Sequence, residues 1–424
     1  MATELKFRGG TTAQHATFTG ADREVTVDTD KYTLIVHDGS TAGGHETALT
    51  ATTVEKTTST GSAVLPVGTD AQRDGTPSAG YLRWNTDQGS AEVYDGSAWG
   101  SVGGAGGVTQ GLFRKADPTA VAWTKTGNGT AESQTAIYVE VNGSSLTIAS
   151  GTSVDMPSLV AGTDYAIWAE TDGSLQASSN HTTPPSADAR KVGGFHYAAG
   201  SNASAQSGGD TTAQINEYSF WDLKFRPTCD PRGMTLVAGG FWADIYLTGV
   251  DHHTNGTSKY NVTIADGSSP PKVPSNFGGN GSTTYGSYTW FETQELLASH
   301  GKRTPTQQEF MALAYGTTEA SAIGSDPSTT NWDNAYVSKW GVNQSSGCMY
   351  VWGLERGGPY AGASWNANTD GRGSEYNAPN AALFGGDWGD GSNAGSCCSG
   401  WYATASYSFV SIGSRGVCDH MILD

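Results

Sequence analysis

Long apolar runs are missing from this 424-residue chain, so no segment is expected to cross a bilayer as a helix. The opening stretch MATELKFRGG lacks the apolar core of a signal peptide, which makes a soluble protein synthesised in a cytoplasm the expectation. Basic residues are scarce: 23 Lys and Arg stand against 41 Asp and Glu, a formal net charge of −18. That excess disfavours any sequence-independent grip on phosphate backbones or anionic membranes, so neither nucleic acid nor membrane insertion is expected. Cysteines number only five, Cys229, Cys348, Cys397, Cys398 and Cys418. They form no C-x-x-C and have no paired His nearby, which argues against zinc. Reduced thiols are expected for a chain folded in a reducing compartment, with Cys348 and Cys418 the pair to check for a bridge.

Helical heptads are absent too, and the chain is instead rich in Gly, at 58 residues about twice the usual share. Many short strands joined by tight turns follow from that composition, while 13 Trp, 18 Tyr and 12 Phe are enough to fill several cores. The length predicts two to four domains.

An internal repeat opens the chain. Residues 10–40 and 68–97 share G-T-x-A-Q at the start and x-V-x-D-G-S at the end, with one residue of slippage. Each copy reads as a hairpin: Val25 to Asp28 alternates, Thr29-Asp30-Lys31 turns, and Leu34 to His37 returns. A lone hairpin is marginal, so these modules must pack on something else, most simply on the same hairpin from two further chains of a homotrimer. The motif resembles the hairpin modules of bacteriophage tail-fibre proteins. Thr50 to Ser62 reads as a connector and Gly100 to Gly107 as a Gly-rich linker.

Residues 109–213 have the pattern of a β-sandwich, with Asn142-Gly143 and Asp172-Gly173 as hairpin turns and nothing that suggests chemistry. From residue 214 a larger aromatic core begins. The convincing helices lie here: Phe291 to His300, stopped by Gly301, and a second starting on Thr306-Gln307-Gln308-Glu309, a capping box with Phe310, Leu313 and Ala314 as its apolar side. The run from Leu383 to Asp424 is built from Gly, Ser, Ala, Asn, Asp, Thr, Tyr and Trp. Such a mix suits a recognition surface, because Tyr and Trp give large contact area with few torsions to freeze. The same aromatics would also suit a core.

Two short helices before a long aromatic tail is the layout of a C-type-lectin-like domain. The KRTPTQQEF stretch at 302–310, Tyr350 to Gly353, Gly385 to Trp388 and Ile412 to Gly416 resemble the subtype shared with formylglycine-generating enzymes. Taken with FRGGTTAQHATFTG (7–20), DPRGMTLVAG (230–239), TSKYNVTIADGS (257–268), ALFGG (382–386) and RGVCDH (415–420), the chain resembles the major tropism determinants of Bordetella bacteriophages. Residues 50–108 depart from that family, as an inserted second hairpin with its linkers. The resemblance implies a mainly β, multidomain protein: a β-prism-like hairpin module (1–48), the insertion (49–108), a β-sandwich (109–213) and a C-terminal C-type-lectin-like α+β domain (214–424). It implies a homotrimer at the tail-fibre tip of a virion that binds a protein receptor on the bacterial outer surface.

In that family a retroelement rewrites adenines of a variable repeat. By position the variable sites are Asp387, Gly389, Asp390, Gly391, Asn393, Gly400, Tyr402, Ala403, Tyr407, Phe409, Ser411 and Ile412. An Asn codon altered only at its adenines cannot give Trp, Gln, Met, Lys or Glu, and none of these sites holds one. Trp388 and Trp401 therefore belong to the frame.

Rival readings rest on single features. An oxidase like the formylglycine-generating enzymes would use a reactive Cys pair, but Cys397 and Cys398 are adjacent and Arg415 is the nearest basic residue in sequence. Asp251-His252-His253 and Asp419-His420 are isolated pairs and receive no role. Asp387, Asp390 and Asn393 have the oxygen chemistry of a structural divalent-cation site without the rest of an EF-hand loop, so no cofactor is assigned. A calcium-dependent glycan-binding lectin would need E-P-N or Q-P-D with W-N-D, of which Asn331-Trp332-Asp333-Asn334 is a partial echo.

Overall fold

The computed structural model describes residues 6–47, 65–87, 89–102, 112–357, 365–367, 374–376 and 380–423. The chain divides into two compact units, Met1–Gly107 and Val108–Asp424. No helix among the described residues is long and apolar enough to cross a membrane.

The first unit contains the two repeats, each a four-stranded sheet. Arg8–Gly10 lies parallel to Val25–Asp28, which continues antiparallel through Thr33–Val36 to His45–Glu46. Val67–Gly68, Leu82–Asn85, Ser90–Tyr94 and Trp99–Ser101 repeat that order and those directions. The shared T-x-A-Q has a mechanical reason. Thr11 caps a short helix, α1 (Thr12–His15): its hydroxyl accepts from the Gln14 amide at 3.3 Å while the Gln14 side chain accepts from the Thr11 amide at 2.9 Å. Thr69 and Gln72 form the same reciprocal box on a 3-10 turn. A helix is thus present outside the C-terminal region, contrary to the sequence expectation. The expected linker from Gly100 also starts too early, because Gly100 lies within a strand paired to Val93. The connector Thr50 to Ser62 lies outside the described residues.

Both modules bury polar side chains and expose apolar ones. In the first, Thr26 is buried with its hydroxyl 2.8 Å from His15 Nε2 and 2.9 Å from His37 Nε2. In the second, the matching position is Arg83, across from a fully buried Glu92 that pairs with Arg73 at 2.6 Å and Arg83 at 3.4 Å. Leu34 and Val36 in the first module, and Val67, Leu82 and Trp84 in the second, face outward and are exposed. The hydrogen bond from Arg73, working against burial and aided by Asn85, holds the Glu92 carboxyl below its ordinary value. A depressed carboxyl stabilises the fold above its unfolded value, about 4.5, and loses that contribution as pH falls through the folded value. Protection of the 82–94 amides, relative to their intrinsic exchange at the same pH, should therefore fall below about pH 4.5. Glu92→Gln should abolish this acid step while loosening the module at neutral pH; an acid step that survives in E92Q would assign it elsewhere.

In the second unit, a three-stranded sheet (Phe113–Lys115, Ile137–Val141, Ser144–Ile148) and a larger one centred on Thr163–Ala169 and Arg190–Ala198 enclose one core with Trp123, Ile137, Val139, Ile167, Val192 and Phe195 inside. Asn142 and Gly143 take φ of 47° and 77°, the left-handed pair that a two-residue hairpin turn requires. The larger sheet runs past the expected boundary at 213: Gln214–Ile215 and Trp221–Asp222 both pair with Arg190–Ala198. The buried Lys115 ammonium, 2.8 Å from Asp222, fastens that extension to the sandwich.

The remaining chain folds around two four-stranded sheets and two α-helices, with a further two-stranded pair, Trp365–Ala367 and Ser374–Tyr376. One sheet is ordered Phe225–Pro227, Val417–Ile422, Phe241–Asp244, Met234–Val237, so the C-terminal strand sits between strands from the beginning of the domain. The other is ordered Ser399–Gly400, Asn380–Phe384, Tyr350–Gly357, Ile412–Gly413. Helix α2 (Trp290–Ala298) is capped by Thr289 with Glu292 reaching back, a box the sequence reading missed by starting at Phe291. Helix α3 (Gln307–Leu313) has the expected box, Glu309 N to Thr306 Oγ1 at 3.2 Å and Thr306 N to Glu309 Oε2 at 2.9 Å. Its buried residues include Phe310 and Leu313, as expected.

Candidate recognition face

The run from Asp387 to Ile412 consists of two excursions from the second sheet, fixed at both roots. Gly385 and Gly386 take φ of +94° and +80° at the exit, where an added Cβ would lie 2.8 Å from Phe310 and 2.8 Å from Ala394. Only glycine fits this corner. The far root, Gly413 to Cys418, is buried throughout. At its centre the fully buried Arg415 donates to four main-chain carbonyls, those of Asp244, Ile245, Asn343 and Gln344, at 2.6–3.1 Å. Burial lowers its guanidinium to about 10, still charged at neutral pH.

The first excursion is an acidic turn that binds its own amides. Asp387 Oδ1 accepts from Gly389 N at 2.8 Å and Asp390 Oδ2 from Asp387 N at 2.8 Å, while Asn393 N donates to the Asp390 carbonyl at 3.0 Å. These carboxylates are used in shaping the turn; among the described residues no group of three His, Cys, Asp or Glu is placed to hold a metal. Gly389, Gly391 and Asn393 are exposed at its crest, with Asp387 and Asp390 half-buried. Ser396 returns the chain to the body through Glu319, which accepts from its amide at 2.9 Å and its hydroxyl at 2.5 Å.

The second excursion is held through its backbone. Ala381 N donates to Ala403 O, Trp290 N to Ala405 O, Gly267 N to Phe409 O and Tyr350 N to Ser411 O, all within 2.9–3.1 Å. Aromatic side chains on this anchored backbone point out: Tyr402 is 61% exposed, Phe409 50% and Tyr407 40%. Tyr407 and Phe409 stack with ring planes 16° apart, and Tyr402 meets Tyr350 edge-on at 6.4 Å. Gly400 is half-buried in a strand. Three of the twelve expected sites, Ala403, Ser411 and Ile412, have buried side chains and form the floor under the aromatics. Trp388 and Trp401 are partly buried against the main core. Tyr350, noted in the sequence only as part of a family stretch, is a neighbour of the face. Burial and the Asp390 carboxylate push its hydroxyl well up, so it remains a neutral donor.

The residues behind the chemical rivals have structural partners. Burial, with Asp390, raises the Cys398 thiol, the wrong direction for a thiolate nucleophile. Asp251 pairs with Lys272 at 2.6 Å, and Asp419 with Arg303 at 3.0 Å. His420 Nδ1 accepts from the Trp242 indole at 2.9 Å. Asp333 accepts from Gln344 at 2.7 Å and Trp332 donates to the Asp210 carbonyl, so the partial lectin echo serves loop structure. Cys348 and Cys418 are not a pair: Cys418 faces Cys229 across two strands, and Cys348 is buried apart from it.

A model of the major tropism determinant N-terminal domain matches residues 5–41, and a model of the second domain of the same family matches residues 121–222. The tail fibre receptor-binding protein of Bordetella phage BPP-1 is 50% identical over the full length of both chains. Among solved structures, the P3c and U1 variants of the major tropism determinant superpose with TM-scores of 0.72 at 50% and 49% identity, covering 99% of this chain and all of theirs.

Proposed function

Because the chain belongs to the major tropism determinant family, we propose that it is the receptor-binding protein of a phage tail fibre, with a C-type-lectin-like head that selects the host. The observation that carries this reading is the Tyr402, Tyr407 and Phe409 patch on a loop anchored by main-chain bonds. A backbone held in this way tolerates exchange of its outward side chains, which is what a diversified recognition surface requires. The function is binding and not catalysis, and the ligand best suited to an aromatic, small-residue surface is a protein on the bacterial outer surface.

The finer parts of the reading are a homotrimer at the fibre tip and diversification by a retroelement. Trimer formation is supported by the inside-out hairpin modules, since the outward Leu34, Val36, Leu82 and Trp84 need a cover. A small-residue face binds modestly per site, and three faces on several fibres would raise that by avidity. The reading assigns no cofactor to binding, so chelation should leave adsorption unchanged, and a loss on chelation would point to a structural divalent cation.

The purified chain, added to host cells before phage, should block adsorption, and light scattering should report three times the chain mass of 44.1 kDa. Absence of competition would overturn receptor binding; a monomer would overturn the trimer alone. A near-copy of the 3′ coding end with adenines at the face codons, found in flanking DNA, would establish diversification, and its absence would remove that element.

A further inference from the structure

Antiparallel pairing of Phe225 with Ile422, Arg226 with Met421 and Pro227 with His420 continues through Thr228, whose amide donates to the Asp419 carbonyl at 3.1 Å. The same register places Cys229 directly opposite Cys418, two residues 189 apart in sequence. Cys229 lies two residues past the end of the Phe225–Pro227 strand, and its side chain meets that of Cys418 on the neighbouring strand. The two sulfurs are 2.9 Å apart, in a pocket closed by Trp221, Met234 and Trp242.

We propose that Cys229 and Cys418 are a redox-modification site, a dithiol that closes to a disulfide once the protein leaves the reducing compartment in which it folds. The oxidant is a small disulfide such as oxidised glutathione. Its S–S bond breaks as the Cys229–Cys418 bond forms, two electrons pass to it, and both thiol protons leave on its two released thiols. The surroundings favour the exchange. The hydrogen bond from Cys229, opposed by burial and assisted by the Lys302 ammonium, lowers the Cys418 thiol below its ordinary value, which enriches the reactive thiolate. Cys229 keeps 7% exposure against 1% for Cys418, so the pair lies at the edge of the core.

The bridge would staple the C-terminal strand, which follows the recognition face, to the first strand of the head. The face would then be held covalently at its far root in a virion outside the cell, while its loops stay free to vary.

Full-length protein purified under reducing conditions and then treated with oxidised glutathione should lose two hydrogens in mass and yield a linked peptide containing Cys229 and Cys418. Its melting temperature should rise on the order of 10 °C over the reduced form, because the bridge closes a long loop. Cys229→Ala should show neither change, and comparison of the oxidised with the reduced natural chain decides the matter even if that variant folds poorly. Recovery of both thiols in alkylatable form after oxidation, or linkage confined to Cys397 and Cys398 with no change in melting, would overturn the assignment.

Discussion

Lys302→Met is expected to destabilise the head by about 3–5 kcal/mol, the typical cost of leaving one charge of a buried pair without its partner. Lys302 and Asp244 are both fully buried, and the ammonium donates to Asp244 Oδ1 and to the Gly256 carbonyl, each at 2.5 Å. Asp244 Oδ2 accepts from Gly416 N at 3.0 Å, so the pair also fixes the far root of the face. Burial pulls the ammonium down, but the Asp244 carboxylate outweighs it and its net shift is upward. A raised lysine gives its full stabilisation below its unfolded value, about 10.5, and loses it only as pH rises through the folded value. Burial also raises the Asp244 carboxyl, against the pull of the Lys302 ammonium. Thermal unfolding should show a fall on the order of 10 °C in K302M. Adding Asp244→Asn should recover part of the loss, because an amide oxygen still accepts from Gly416 and carries no charge. An unchanged melting point in K302M would mean that the pair contributes nothing.

Replacement of Tyr402, Tyr407 and Phe409 by Ala should weaken receptor binding by about 2 kcal/mol at each dominant position, roughly thirty-fold in Kd. The exposed rings carry little of the fold, so unfolding should move by no more than about 0.5 kcal/mol. The contrast lies one residue away. Ala403→Trp and Ile412→Trp introduce bulk into the floor, where overpacking typically costs about 1–3 kcal/mol, and should unfold the face without retargeting it. Surface plasmon resonance against host outer-membrane extract, paired with a melting curve for each variant, separates the outcomes. If the aromatic variants melt early and the floor variants do not, the assignment of face and floor is inverted.

The outward direction of those aromatics shows where sequence reading ends. From Trp401 to Ser411 the composition says that the run is small and aromatic, but residue type does not say which members face out. Ala403 and Ala405 are buried while Tyr402 and Phe409 are exposed, although the carbonyls of Ala403, Ala405 and Phe409 are all anchored, so the direction of each side chain is set by the packing around it. The variable sites inferred by position therefore split into a face and a floor that only packing distinguishes.

Local signals determined a good deal by themselves. Asn142-Gly143 specifies its hairpin turn, Thr306 with Glu309 specifies the start of α3, and the repeated T-x-A-Q announces two equivalent modules. Each is a short-range hydrogen-bonding or torsional preference written in neighbouring residues. Tertiary structure decided what depends on distant partners. It seated Arg415 on carbonyls from Asp244, Ile245, Asn343 and Gln344, extended the sandwich sheet to Asp222, and gave Cys418 to Cys229 instead of Cys348. Strand register across 189 residues sets that last pairing, and no spacing within the sequence encodes it.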